Sequence, residues 1–471
     1  MKRISAPVVL VFLSIVLMSL TIDLQNLDNY ANQFIPDYIL KQNTPPNNPT
    51  TDAGATLGRV LFYDKKLSVN NTIACASCHK QEFAFSDTSL VSTGVNGVTG
   101  RHAMRLINPR FSVERRFFWD ERANTLEEQT TMPIQDHSEM GYSGQNGDPG
   151  FADLLDKLDK VPYYNDLFKL AFGDTMITEN RMQRALAQFV RSIQSFDSKY
   201  DAGRSMSLND QMPFPNFTQQ ENMGKNLFLA PPVFNPMGER VGGGAGCAGC
   251  HGAPEFDIAP NSQNNGVTLT VNGEFDPTVT RSPSLRDLIR TDGVLNGPMM
   301  HNGVMKDLGM VIDHYNDIMP DVMNQNLDPK LRPNGFPQKL NLTNQERTAL
   351  IAFLRTLSGT DVYTNPIWSN PFDPDGSITI LNGTTAIDEP QITASDIRLF
   401  PNPASSSFTL SGLETEAQIS LMSTSGQLLQ QVTSNGDDET LIISDLPAGV
   451  YMVVVQVPNQ QKRIIKKLIK Q

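Results

Sequence analysis

Cys75-Ala76-Ser77-Cys78-His79 and Cys247-Ala248-Gly249-Cys250-His251 decide how this chain of 471 residues is read. Each run is Cys-x-x-Cys-His, the attachment pattern of a c-type haem. Two thiols at that spacing fit one helical turn and can form thioethers with the two vinyl groups of one porphyrin. The imidazole that follows is then set under the iron as a proximal ligand. The chain has four cysteines, and the two runs use all of them. A four-thiolate zinc site would also use the cysteines, but it leaves both histidines unexplained. A redox disulfide of the thioredoxin kind needs a βαβ context that the sequence does not offer. Two covalent haems account for every residue of both runs.

Leu57-Gly58-Arg59-Val60-Leu61-Phe62-Tyr63 leads into the first run, and Met223-Gly224-Lys225-Asn226-Leu227-Phe228 precedes the second. The shared Gly-(Arg/Lys)-x-Leu-Phe before Cys-Ala-x-Cys-His is an internal repeat, which predicts two similar helical domains. Thr218-x-x-Glu221 and Thr343-x-x-Glu346 are capping boxes. The second opens a helix through Leu350, Phe353, Leu354 and Leu357 that ends at Gly359. Between the haem runs, Phe151 to Phe172 and Thr178 to Phe196 carry apolar residues at helical intervals. Met182, Leu186, Phe189, Val190, Ile193 and Phe196 share one face. The expected fold is therefore mainly α, with two cytochrome c-like haem domains at 53–205 and 206–359.

The flanks read differently. Met1-Lys2-Arg3 followed by the apolar run Pro7 to Leu20 reads as a secretory signal over 1–21. The run is short for a membrane span. A polar N-terminal extension, 22–52, holds the spacer Pro45-Pro46-Asn47-Asn48-Pro49. Residues 360–394 turn to Pro, Asn, Gly, Thr and Asp, which reads as a linker, ordered near Trp368. From 395 to 471 the period changes to strands: Ile397–Phe400, Gln418–Met422, Thr440–Ile443 and Tyr451–Val455, separated by turns such as Ser425-Gly426 and Pro447-Ala448-Gly449. That predicts a small all-β sandwich. The net charge of −12 argues against a nucleic-acid partner.

The haem region resembles the bacterial di-haem cytochrome c peroxidase family, which includes the MauG-type maturation oxidases. The resemblance rests on both haem runs, on Phe118-Trp119-Asp120-Glu121-Arg122, Leu126-Glu127-Glu128-Gln129, Pro133-Ile134-Gln135 and Glu139-Met140-Gly141, and on Ser284-Leu285-Arg286 and Pro298-Met299-Met300-His301-Asn302-Gly303. It implies a peroxidatic haem on His79 and an electron-entry haem on His251. Trp119 would relay electrons between them, Glu139 would be the distal acid–base and Gln129 its polar neighbour. His137 is an alternative base. Many members close the peroxidatic iron with a histidine after the first run. The loop Gln81 to Gly100 has none, and His102 falls where the family usually has Asn, so an open iron on His79 is expected unless His102 reaches it. For the far ligand of the His251 haem, counting from His301-Asn302-Gly303 gives Tyr315, with His314 or a Met as alternatives. Calcium between the domains is a further family feature. Its backbone positions would be Asn296 and Pro298, but His102 replaces the usual oxygen ligand.

The tail resembles the C-terminal sorting domain of the type IX (Por) secretion system. The matching residues are Phe400-Pro401-Asn402-Pro403, Gly426-Gln427-Leu428-Leu429, Leu446-Pro447-Ala448-Gly449-Val450-Tyr451 and Lys466-Lys467-Leu468-Ile469-Lys470. This implies engagement of that secretion machinery, with passage through the periplasm to the cell surface or the medium. The expected activity is reduction of hydrogen peroxide to water, with electrons from an external donor such as a small cytochrome. A homodimer is compatible with the resemblance. The rival readings are a MauG-like oxidase that uses peroxide on a protein or organic substrate, and a non-catalytic di-haem electron carrier.

Overall fold

The structure, a computed structural model, describes residues 21–381, 397–413, 416–423, 428–435, 438–456 and 463–471. The signal stretch, most of the second half of the linker, and the Ser425-Gly426-Gln427 turn lie outside the described residues. Contacts divide the chain into two compact units, with the boundary at residue 384.

Among the described residues the first unit holds two large hydrophobic cores and a small third cluster of Ile318, Leu327 and Leu331 with Tyr315 against it. Helix α1 (Asp52–Tyr63) starts where the Thr51 side chain accepts from the Gly54 N–H. One turn, α2 (Cys75–Cys78), carries the first haem run, and α3 (Leu126–Thr131) follows. Phe151 to Phe172 forms two helices, α4 (Phe151–Asp159) and α5 (Pro162–Phe172), because Pro162 starts a new helix. Helix α6 (Glu179–Ser192) buries Met182, Leu186, Phe189 and Val190. Helix α7 (Lys199–Ser205) leads to α8 (Gln219–Leu229), then α9 (Leu308–Asn316) and α10 (Asn344–Arg355). Both capping boxes form, at Thr218/Glu221 and Thr343/Glu346. Tyr200 already belongs to the second core, so the change of core falls between Ile193 and Tyr200.

The internal repeat has a packing reason. Helix α1 crosses α6 at Gly58, where an added Cβ would lie 2.0 Å from the Ala185 carbonyl oxygen and 2.8 Å from Phe189 Cβ. Helix α8 crosses α10 at Gly224, where an added Cβ would lie 1.9 Å from the Ala349 oxygen and 2.9 Å from Phe353 Cβ. Only glycine permits backbones this close. The next residue, Arg59 or Lys225, is buried in each copy, and so is the Phe that follows, Phe62 or Phe228.

Two features depart from the expected fold. Helices build the cores, but "mainly α" overstates their share. From residue 259 to 307 the chain has neither helix nor named strand, only isolated bridges. This stretch is polar and punctuated by Gly266, Gly273, Gly293, Gly297 and Gly303, all at positive φ, so local turns replace ladders. Residues 360–381, read as linker, pack back on the first core. Val362 and Trp368 are buried in it, Trp368 Nε1 donates to Ser192 Oγ at 3.2 Å, and Ile380–Leu381 pairs in parallel with Ile22–Asp23.

Among its described residues the second unit has seven strands: β1 (Arg398–Phe400), β2 (Ser407–Ser411), β3 (Glu416–Ser423), β4 (Leu428–Asn435), β5 (Glu439–Ile442), β6 (Gly449–Gln456) and β7 (Arg463–Lys470). They form an antiparallel sheet β4-β3-β6-β7 and a second one, β5-β2-β1. Alternate residues, among them Phe408, Leu410, Ile419, Leu421, Val453, Val455 and Leu468, make its core.

Candidate functional site

The first run folds as its spacing dictates. Cys75 and Cys78 stand at the two ends of α2, and the His79 N–H donates to the Cys75 oxygen at 2.9 Å. The chain then reverses through Ala84 and Phe85, both left-handed. The reversal aims the Phe85 carbonyl at His79 Nδ1, 3.1 Å away. Burial holds the imidazole neutral by pushing its pKa down. A neutral ring that donates from Nδ1 leaves the lone pair on Nε2, the atom an iron would take. Burial also pushes the Cys75 thiol up to about 12.

The second run repeats the plan in a 3₁₀ turn, Cys247–Gly249, followed by His251 in a two-residue hairpin against Ile258. Phe256 takes the place of Phe85, again with φ near 57°. His251 Nδ1 is buried without a well-aligned hydrogen bond, and burial outweighs the Phe256 carbonyl to bring its pKa to about 4. A cavity of about 660 Å³ opens beside this run, lined by both cysteines, His251 and an apolar wall from α8, α9 and α10. Two thiols, an orphaned imidazole and a large apolar cavity are the donor set a covalent haem requires.

Tyr315 lines this cavity, and its hydroxyl accepts from Asn265 Nδ2 at 2.9 Å. Burial holds the phenol above its ordinary pKa. Met299 and Met300 line the cavity too, and Asn265 Nδ2 also reaches Met300 Sδ at 3.4 Å. His314 is not on the lining; its Nε2 is 2.9 Å from the Asn265 carbonyl. The sequence reading did not single out Asn265. Its only signal is an Asn-Gly pair, which reads simply as a turn.

Glu139 is the carboxylate whose charge reaches both thiols of the first run. Burial raises its pKa to about 7, Asp136 adds to this and Arg122 opposes it. A loop fixes its backbone: the Val95 N–H donates to the Glu139 oxygen at 3.0 Å, and the Asn96 N–H to the Ser138 oxygen at 3.2 Å. Gly94 lies so close beneath that an added Cβ would stand 2.0 Å from the Ser138 oxygen. His137 is 43% exposed and its Nδ1 pairs with Asp148 at 2.7 Å. Gln129 sits on α3, and no hydrogen bond joins it to Glu139 among the described residues.

Trp119 ties the two lobes of the first unit together. Its Nε1 donates to the His102 oxygen at 2.8 Å, its own carbonyl accepts from Thr280 and Arg281 at 3.0 Å each, and its ring lies edge-on to His301 at 6.2 Å. It also lines the cavity of the second run. Both ring nitrogens of His102 are engaged, Nδ1 with the Ser89 oxygen at 3.0 Å and Nε2 with Ser86 Oγ at 3.3 Å. The residues here do not fit calcium, which takes oxygen ligands where this chain presents an imidazole.

Two half-buried Cys-x-x-Cys-His runs in one unit define a two-centre c-type haem protein. A family model described as "Di-haem cytochrome c peroxidase" matches residues 52–215, and one described as "Secretion system C-terminal sorting domain" matches 398–471. The methylamine utilization protein MauG of Methylophilus methylotrophus is 31% identical over 327 residues, 67% of this chain and 85% of that protein. The cytochrome c551 peroxidase of Nitrosomonas europaea is 26% identical over 309 residues, 65% of this chain and 80% of its own. Among solved structures, a MauG-like protein associated with microbial copper homeostasis superposes with a TM-score of 0.57 at 28% identity, covering 72% of this chain and 99% of that one. The chain belongs to the di-haem cytochrome c peroxidase and MauG family, whose members carry two c-type haems, and it ends in a secretion-system sorting domain.

Proposed function

We propose that this protein is an exported di-haem peroxidase: electrons from an external donor enter at the His251 centre, cross through Trp119, and reduce hydrogen peroxide at the His79 centre. The observation that carries the reading is the inequality of the two sites. A half-buried carboxyl with a pKa near 7 stands within electrostatic reach of the first run, whereas Tyr315, Met299 and Met300 stand on the cavity of the second. When bound, the haems supply the redox chemistry. The polypeptide orients and moves protons. The Phe85 carbonyl holds the His79 tautomer. Glu139, ionised above pH 7, accepts the proton of the incoming peroxide and returns it to the leaving oxygen. The balance is H2O2 + 2 e⁻ + 2 H⁺ giving two waters. Gln129 is assigned to the same pocket on resemblance alone. His102 spends both ring nitrogens on Ser86 and Ser89, so it would leave an iron held by His79 accessible to peroxide. Tyr315, on the cavity wall, would be the second residue to hold the iron of the His251 haem. The sorting domain sends the folded enzyme from the periplasm to the surface or the medium.

The test is steady-state peroxide consumption by purified holoprotein with a reduced small cytochrome as donor. Turnover without prior reduction supports the peroxidase. A second reading, a MauG-like oxidase acting on a protein or organic substrate, is favoured by Tyr315 on the cavity wall; it predicts negligible turnover with the cytochrome but rapid reaction of the ferric protein with peroxide. A resting spectrum in which neither iron binds cyanide would sink both and leave an electron carrier.

A further inference from the structure

We infer that Arg105 is an anchor for a propionate carboxylate of the second haem, supplied to that cofactor's cavity from the opposite lobe. The inference rests on the reading that the Cys247–His251 run holds a haem.

Arg105 belongs to the first-lobe segment that begins at Arg101, yet it lines the cavity of the second run. Its Nε donates to the Arg286 carbonyl at 3.2 Å and its Nη2 to the Ser284 carbonyl at 3.0 Å. Both partners are neutral, and Nη1 has no hydrogen-bond partner among the described residues. The other Arg and Lys side chains on the lining each have a carboxylate: Arg281 has Asp257 at 3.4 Å, and Lys330 has Asp328 at 3.8 Å. Arg105 has none within ion-pair distance among the described residues. The carboxyl that most influences it is Asp287, which is itself engaged by the Gly359 N–H and the Tyr363 hydroxyl at 3.0 Å each. Burial lowers the guanidinium pKa to about 10, the mark of a cation without its counter-charge.

A cation that faces an apolar cavity without a counter-charge is costly once that cavity is filled, so a site that retains one is built for an anion. A haem brings two carboxylates into this cavity, and a guanidinium already fixed by two carbonyls offers its remaining edge as a planar fork to a carboxylate. Because the two carbonyls belong to the second lobe, the salt link would also clamp the segment Arg101–Arg105 across the boundary. That segment includes His102, whose carbonyl holds Trp119.

The experiment is a spectroelectrochemical titration of holoprotein carrying Arg105→Gln or Arg105→Lys, with haem counted by pyridine haemochrome. Loss of the cation stabilises the oxidised iron. In the glutamine variant the reduced-to-oxidised ratio of the second haem at a fixed potential should fall about tenfold, a shift of roughly 59 mV for one electron. The lysine variant should stay within about threefold of the parent, and the first haem should not move. An unchanged second potential in the glutamine variant, or equal shifts in both variants, would show that Arg105 only ties the two carbonyls. Should the glutamine variant not accumulate, a tenfold shift in the lysine variant alone overturns the proposal and a threefold limit supports it. Fewer than two haems per parent chain would bring down the reading of the run itself, which this count separates from failure of the anchor.

Discussion

At the scale of single residues, two carboxyls with raised pKa values, Glu139 half-buried and Glu255 buried, give opposite kinds of prediction. Glu139 has a pKa near 7 because burial and Asp136 disfavour its charge. As the proposed base it works only when ionised, so the second-order rate with peroxide should rise as pH increases through about 7 and level above it. Glu139→Gln should lower that rate by roughly 10²–10⁴-fold, while His137→Ala, removing a half-exposed ring paired with Asp148, should change it by less than about threefold. Stopped-flow mixing with peroxide across pH 5.5–8.5 measures both. Glu255 is different: it is 2% exposed, both carboxyl oxygens lack partners, and burial raises its pKa to about 7 despite Arg286 and Lys41. The folded protein therefore holds this proton where the unfolded chain, titrating near 4.5, has released it. That contribution to stability is full below about 4.5 and is lost as pH rises through 7. Glu255→Gln should be more stable than the parent at pH 8, by up to about 3 kcal/mol, and the gain should vanish by pH 4.5. Denaturant melts at the two pH values decide it.

At the scale of elements, the two glycine-crossed helix pairs were legible in advance and the cavity walls were not. Gly58 and Gly224 stand in a repeated five-residue pattern that survives because each step has a packing job: glycine for close approach, a buried cation, then a buried Phe. The capping boxes at Thr218 and Thr343 were legible for a similar reason, since cap chemistry is local. Both haem runs and Glu139 could be singled out from motif and resemblance. Asn265, Arg105 and the Phe85 and Phe256 carbonyls could not. They lie on turns whose roles depend on contacts far along the chain, and a carbonyl leaves no trace in residue type. Order near Trp368 was legible in the linker, but the packing of Val362 was not, because it sits singly in a polar stretch with no period to announce its burial. The crossings give a further test. Gly58→Ala or Gly224→Ala forces a methyl group to within about 2 Å of a backbone oxygen and should cost about 1–3 kcal/mol or more by overpacking. Ala185 and Ala349 lie opposite through their backbone oxygens, so trimming those residues to glycine should not restore stability. Thermal melts of the single and double variants separate this from an ordinary cavity effect.

At the scale of the whole molecule, the chain is two independent hydrophobic problems solved by different means. The haem unit closes its cores with helices and with segments from both its ends: Tyr30 and Trp368 lie in the same core, and the Tyr30 hydroxyl donates to the Ile367 carbonyl at 2.5 Å. The sorting unit closes its core with two antiparallel sheets and shares no core residue with the first. A chain cut after residue 384 therefore keeps every residue of the first unit's cores, whereas a cut at 359, the end of the haem region as read from sequence, removes Val362 and Trp368. The longer product should bind two haems with the spectrum, potentials and melting temperature of the full chain, and fail to reach the surface of a host with the secretion machinery. The shorter product should lose roughly 3–5 kcal/mol for the tryptophan alone and misfold or shed haem. Haem stoichiometry and melting of the two truncations, beside fractionation of cells expressing each, test the division. A stable, fully loaded product ending at 359 would mean that the returning segment is an ornament rather than part of the core.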